Sequence, residues 1–294
     1  MYSQTKIMKS MLDYSERVNR AKHVLAEADF VLIGAGAGLS AAAGLNYQDP
    51  DIFEEWYPQF RKLGFRTIWE AITAHWTPND SNRRRFWAFW AHHIQKIRYD
   101  AFPGRPYLRL RHLLEGKKHF VITTNVDGQF VKASFDRNLI FTPQGDYGMF
   151  QCTTPCLNVL YENQNMIHQM LTNTDDQSLL IREEDIPRCP NCGEFLERNL
   201  RIDEKFVGEP HMHKQEDYLN FVNASASGKL ALIELGVGFN TPSIIRWPFE
   251  QIAVKHSNAT LIRMNMENVK VPQGIEAKSI QFKENLAPVV RDLN

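Results

Sequence analysis

The chain has 294 residues, 43% of them hydrophobic and 23% charged, with 34 basic side chains against 34 acidic ones. That length and apolar share suit one large domain with one smaller unit, and the balanced charge gives no electrostatic argument for nucleic acid or a membrane surface. No apolar run approaches the roughly 20 residues of a membrane span, the start around Lys6, Lys9, Asp13 and Glu16 has no signal-peptide core, and four cysteines in such a length point to a reducing cytoplasm.

Val18, Ala21, Leu25 and Ala28 fall near helical spacing and predict a first helix packed on a sheet. The apolar run from Phe30 to Ile33 leads into Gly34-Ala35-Gly36-Ala37-Gly38-Leu39-Ser40 and then Ala-rich sequence. This reads as a strand, a tight glycine turn and a helix start, where backbone N–H groups can approach a pyrophosphate with no Cβ in the way. The G-x-G-x-x-G spacing is not kept after Gly36, so a ligand-free glycine turn is the competing reading. Asp49-Pro50-Asp51 breaks any helix, which makes 45–51 a loop over that turn. From Asp51 to Tyr99 the chain is helical in pattern and rich in aromatics, predicting a cap whose rings fill a core. Within it, Arg83-Arg84-Arg85 reads as a solvated helix face, and His92 and His93 as structural.

A short helix over 108–114 and a strand over 119–123 come next, ending in Thr124-Asn125-Val126-Asp127. In an open α/β sheet, polar residues just past a strand's C-terminal end fall in the ligand crevice. Asn125 would present an amide there, and Asp127 either a carboxylate or a helix cap. Gln144 sits just beyond another short strand, 139–142. Cys152 and Cys156, then Cys189 and Cys192, form two close pairs, the pattern of a closed structural zinc site, with two disulfides as the alternative. Between the pairs, 172–178 and 182–185 read as surface loop. The α/β pattern resumes with a helix over 213–229 and a strand over 230–235. That strand ends in Gly236-Val237-Gly238-Phe239-Asn240, a second backbone approach to the same ligand. Asn265 follows a strand over 260–264, and a last strand over 278–282 precedes a closing helix from Glu284. The expected architecture is α/β: a Rossmann-like parallel sheet from 1–149 and 214–294, a helical cap at about 51–100, and an inserted small zinc-binding module at 150–213.

Taken in order, Gly36-Ala37-Gly38-Leu39-Ser40 with Gly44-Leu45, Thr123-Thr124-Asn125-Val126-Asp127, the two cysteine pairs, Gly236-Val237-Gly238 and Asn265 resemble the motifs of the sirtuin family along nearly the whole chain. The resemblance implies NAD as co-substrate in the cleft between the Rossmann-like and zinc-binding parts. Implied contacts are Ala35, Gly36, Ala37, Gly38, Ser40, Thr124, Asn125, Asp127, Gln144, Gly236, Val237, Gly238, Asn240 and Asn265. It further implies that Asn125 positions the ribose or the nucleophile, Gln144 holds the ribose and Asp127 meets the nicotinamide amide.

Two departures separate the chain from sirtuin deacylases. Gln144-Gly145 stands where they carry His-Gly, and Asn46-Tyr47-Gln48-Asp49 where they carry Pro-Asp-Phe-Arg. This combination resembles the bacterial macrodomain-linked (class M) sirtuins. The activity this implies is mono-ADP-ribosylation of a lipoyl-carrying, glycine-cleavage-H-like protein, alongside a lipoate ligase and a macrodomain hydrolase. Chemistry agrees. Deacylation needs a base to help a ribose hydroxyl attack an imidate, which an imidazole can supply near pH 7 and a carboxamide cannot. Direct transfer needs only a placed nucleophile, and Gln144 can still orient a hydroxyl. The rival readings are a protein-lysine deacylase, a simple NAD hydrolase and a non-catalytic NAD-sensing module.

Overall fold

The computed structural model describes residues 13–294; Lys6 and Lys9 lie outside the described residues. The first helix, α1 (Asp13–Glu27), buries Val18, Ala21 and Leu25, the face that the spacing predicts. The strands, in chain order, are β1 (Phe30–Ala35), β2 (Lys118–Thr123), β3 (Ile140–Phe141), β4 (Gly145–Cys152), β5 (Tyr161–Glu162), β6 (Leu196–Leu200), β7 (Leu230–Leu235), β8 (Ala259–Met264) and β9 (Ser279–Phe282).

Six of these make one sheet in the order β3-β2-β1-β7-β8-β9, with every neighbouring pair parallel. β1 and β7 are apolar at nearly every position and buried along almost their whole length, as strands covered on both faces must be. Strand order reverses between β1 and β7. In such sheets the crevice for a ligand opens at that switch point, beyond the carboxyl ends of the strands. The loops at 36–38 and 236–238 both start there.

The other three strands form an antiparallel sheet, β5-β4-β6. The aromatic segment supplies α2 (Pro50–Trp56), α3 (Ile68–Ala74) and α4 (Arg83–Ile94), which continues into a π-helical turn at Gln95–Asp100. Its rings do fill a core: Tyr57, Phe60, Phe86, Trp87, Phe89 and Trp90 are buried. That core is continuous with Phe150, Ile167, Leu179 and Leu196 beside the cysteines. His92 and His93 are structural here. His93 is buried with its Nδ1 hydrogen-bonded to the Tyr57 hydroxyl at 2.8 Å, and His92 Nε2 lies 2.6 Å from the Trp56 carbonyl.

Two local expectations are corrected. The arginine run is only partly a solvated face: Arg84 and Arg85 are exposed, but Arg83 lies over the Phe195 ring at 3.9 Å and Arg84 Nε donates to the Ile181 carbonyl at 2.7 Å, which ties the helix to the segment around the cysteines. The polar segment between the cysteine pairs contains a helix, Gln164–Thr172, that buries Ile167 and Met170. Asp185, expected on the surface, is buried and accepts from Gln169 and Asn173. Polar residues on the outer face of that short helix mask its two core positions in the sequence.

Candidate active site

The turns after β1 and β7 touch. A Cβ on Gly38 would lie 2.7 Å from the Gly236 Cα, and Gly236 itself has φ +60. A side chain at either position would collide with backbone, which cannot retract. The Gly36 and Gly38 N–H groups donate to the carbonyls of Leu235 and Gly236 at 3.0 Å. These two glycines therefore join the turns and shape the floor, which differs from the expectation that they present N–H donors.

Above that floor is a cleft of about 930 Å³. Gly36, Ala37, Gly38, Thr124, Gln144, Gly236, Val237, Gly238, Asn240 and Asn265 line it. Asn265 also braces it, donating from Nδ2 to the Val237 carbonyl at 2.9 Å while its Oδ1 accepts from the N–H groups of Glu267 and Asn268. Ala35, Ser40 and Asp127 are buried behind the cleft, and Asn125, part-exposed between the lining residues Thr124 and Val126, turns its amide toward Gly36 and Tyr107. Ala35 is fully buried and its carbonyl accepts from the Thr123 hydroxyl and the Thr124 N–H.

The other three form one network with Tyr107, a residue that no local pattern marks. Ser40 Oγ donates to Asp127 Oδ2 at 2.5 Å and pairs with the Tyr107 hydroxyl at 2.9 Å. Asn125 Nδ2 donates to the Gly36 carbonyl at 3.0 Å and to the Tyr107 hydroxyl at 3.2 Å. Asp127 Oδ1 accepts from the Gln129 N–H at 3.0 Å, an Asx-type turn just before the short helix Gln129–Lys132, whose N-cap is Gly128 rather than Asp127. Burial pushes its pKa above the ordinary carboxylate range, against the Ser40 hydroxyl, the Gln129 N–H and the Lys132 charge.

Gln144 projects from the turn between β3 and β4, with its carbonyl accepting from the Arg201 N–H at 3.1 Å. Among the described residues, no histidine lines the cleft. His211 stands behind Gln144, with Nε2 at 2.6 Å from Asn199 Oδ1 and Nδ1 at 3.2 Å from the Thr142 hydroxyl. Asn199 uses its Nδ2 elsewhere, so Nε2 donates and Nδ1 accepts, and neither ring nitrogen is open to the cleft. Four aromatics and one cation without an expected role in the site also line the cleft: Tyr47, Trp69, Trp76, Tyr147 and Arg201. Burial raises the pKa of both phenols, that of Tyr147 to about 12, which holds them protonated near neutral pH.

At the far end of β4 the four cysteines converge. The sulfurs of Cys152, Cys156, Cys189 and Cys192 all lie within 4.8 Å of one another, and all four are free thiols. A tetrathiolate of this size fits one tetrahedral zinc ion with no open position. Tyr161, Thr154 and Asn191 approach the sulfurs at 3.3 to 3.5 Å, the partners that orient ligating thiolates. Seven strand positions separate Gly145 from Cys152, roughly 23 Å at 3.3 Å per residue. The metal site is structural and remote from Gln144.

Comparison with solved structures places this arrangement. A Sir2 homologue in complex with NAD overlays with a TM-score of 0.58 at 17% identity, covering 94% of this chain and 91% of its own. Sir2Tm bound to a propionylated peptide gives 0.57 at 17%, covering 97% and 95%. At those identities the likeness shows the fold. In sequence, a protein ADP-ribosyltransferase of Staphylococcus aureus is 33% identical over 267 residues, 90% of this chain and 82% of that protein. The chain belongs to the sirtuin family. No family model matches it. Among its fellow sirtuins and relatives, a probable bifunctional ADP-ribose hydrolase/ADP-ribosyltransferase of Fusarium oxysporum is 30% identical over 84% of this chain, which spans 42% of that longer protein. An NAD-dependent protein deacylase of Pyrococcus furiosus is 27% identical, over 83% of this chain and 84% of its own.

Proposed function

We propose that this sirtuin is an NAD-dependent protein mono-ADP-ribosyltransferase. The observation that carries the reading is Gln144 in the cleft where a deacylase needs an imidazole, with no histidine among the described residues of the cleft wall. When bound, NAD supplies an activated ADP-ribosyl group whose leaving group is nicotinamide. Gln144 offers both a donor and an acceptor to a ribose hydroxyl but cannot take its proton near pH 7. The remaining titratable groups do not replace that base: both cleft tyrosines are held protonated, and Asp127 is buried beneath Ser40. Asn125, fixed by Gly36 and Tyr107, keeps the loop at the reacting end in place, and Asp127 supports that loop through Ser40 and the Gln129 N–H; for it to meet the nicotinamide amide its carboxylate would have to leave those partners. The S. aureus and Fusarium relatives, both named as ADP-ribosyltransferases, support transfer.

The acceptor is a protein, and we take it to be a lipoylated, glycine-cleavage-H-like carrier in the cytoplasm, on the strength of the class M resemblance. The joining of an ADP-ribose hydrolase to a transferase in the Fusarium relative's name supports a functional link to a macrodomain-type hydrolase; the lipoate ligase link rests on the resemblance alone. The test is incubation with labelled NAD and the carrier protein, with and without its lipoyl group. Label on the lipoylated carrier with stoichiometric nicotinamide release is the expected result. Nicotinamide release without protein label would make the chain a hydrolase, and NAD binding without release a sensing module. The deacylase reading is kept for one reason, the P. furiosus relative, and O-acyl-ADP-ribose from acyl-lysine peptides would establish it instead.

A further inference from the structure

The two polar segments of the site come from different parts of the chain, 124–132 and 144–148, and one guanidinium lies between them. Arg98, on the π-helical turn Gln95–Asp100, directs Nε to Asp146 Oδ1 at 2.7 Å and Nη2 to Asp146 Oδ2 at 3.2 Å. The pair is largely shielded, with side chains 12% and 22% exposed. Asp146 is two residues beyond Gln144, and its Oδ1 also accepts from the Gly148 N–H at 2.6 Å. A glycine packs against the guanidinium on each side. A Cβ on Gly128, which has φ +72, would come within 2.8 Å of it, and one on Gly148 within 3.1 Å.

The same turn is held from the other segment. Lys132 Nζ donates to the carbonyls of Ile97 at 3.2 Å and Ala101 at 2.6 Å, and Gln129 Oε1 accepts from the Gly104 N–H at 2.8 Å. One backbone hydrogen bond joins the segments directly, from the Tyr147 N–H to the Val126 carbonyl at 2.9 Å. A π-turn places its carbonyls out of α-helical register and is found disproportionately at functional sites. A planar, two-pronged guanidinium against a carboxylate fixes direction as well as distance, which an ammonium does not.

We propose that Arg98 is a positioning residue: together with Asp146, and seated between Gly128 and Gly148, it sets the placement of Gln144 relative to Asn125 and Asp127. This rests on the transferase reading for what Gln144 does, but not for whether the segments are coupled.

Two measurements test it. The first is hydrogen exchange on the full chain. Arg98→Lys and Asp146→Asn should raise exchange in 124–132 and 144–148 together while leaving β7 and β8 unchanged. Exchange confined to one segment, or unaltered in both, overturns the proposal whatever the enzyme's activity. The second is the rate of nicotinamide release at saturating NAD, in the wild type and in Gln144→Ala. Displacement of a positioned group costs up to about 100-fold, so Arg98→Lys should lower turnover about 10-fold or more with NAD affinity within about threefold. In the Gln144→Ala background the same change should cost less than about threefold, the non-additivity of residues acting through one another. An equal loss in both backgrounds, or affinity falling in step with turnover, would make Arg98 a general stabiliser and defeat the claim. Coupled exchange with no nicotinamide release in the wild type would leave the clamp standing and count against the proposed transferase.

Discussion

Replacing Asn125 by Ala removes two defined hydrogen bonds, from Nδ2 to the Gly36 carbonyl at 3.0 Å and to the Tyr107 hydroxyl at 3.2 Å. At about 1 kcal/mol for each bond, the expected loss of stability is about 2 kcal/mol. For a chain of this size that corresponds to a fall of roughly 4 °C in melting temperature, at about 2 °C per kcal/mol. The lost groups brace the reacting end of the cleft, while the floor under the 236–238 turn keeps its own contacts. NAD affinity should therefore stay within a few-fold, and transfer should drop by roughly 100-fold, the scale of misplacement at a reacting centre. Asn125→Asp is a sharper probe. It keeps the shape but sets a carboxylate oxygen against the Gly36 carbonyl, and should melt below the Ala variant. The assays are thermal unfolding, calorimetric NAD titration and transfer kinetics. A wild-type melting curve for Asn125→Ala would refute the hydrogen-bond argument. Affinity and turnover falling by the same factor would make Asn125 a ground-state contact instead.

Three further outcomes are expected. Cys192→Ser, or chelation of the metal, should unfold the small sheet and melt the protein well below wild type, since structural zinc contributes on the order of 10 kcal/mol to its own fold; a metal-free protein with wild-type stability and activity would exclude a zinc role. Gln144→Ala should reduce transfer with little change in stability, and the wild type should release no acyl-ADP-ribose from acetyl-lysine peptides at any pH; robust deacylation would mean that another residue serves as base. Burial lowers the pKa of His93 to about 3. The unfolded value is about 6.5, so between these values the unfolded chain holds the extra proton and stability falls as the pH drops. At pH 5 this amounts to about 2 kcal/mol, at 1.36 kcal/mol per unit over 1.5 units. His93→Asn, which can still hydrogen-bond the Tyr57 hydroxyl, should lose that share of the acid sensitivity in denaturant titrations at pH 5 and 7.5; an unchanged difference between the two pH values would contradict it.

The sequence by itself determined the six strands of the parallel sheet, the glycine turns that end two of them and the metal ligands, but none of the three strands of the small antiparallel sheet. These are local signals: apolar runs bounded by Gly, polar residues just past a strand, and thiols in close pairs. It also displayed the change that matters most for chemistry, Gln144 in place of His, because a substitution within a motif is visible in one dimension. Individual roles were less legible. Gly36 and Gly38 read as N–H donors, and only the approach of the Gly236 turn shows that their donors are spent on joining β1 to β7. Asn125 and Asp127 read as cleft residues, whereas their side chains turn inward to Tyr107 and Ser40, partners 18 and 87 positions away in sequence. Tyr107, Tyr147, His211 and Arg98 carry no local mark at all. Each acquires its role from a neighbour that only the crossovers of the fold bring within hydrogen-bond range. Periodicity and turn chemistry are short-range physics and survive in the sequence. A hydrogen bond between segments depends on where the sheet and the shared core set those segments, and that is decided only in three dimensions.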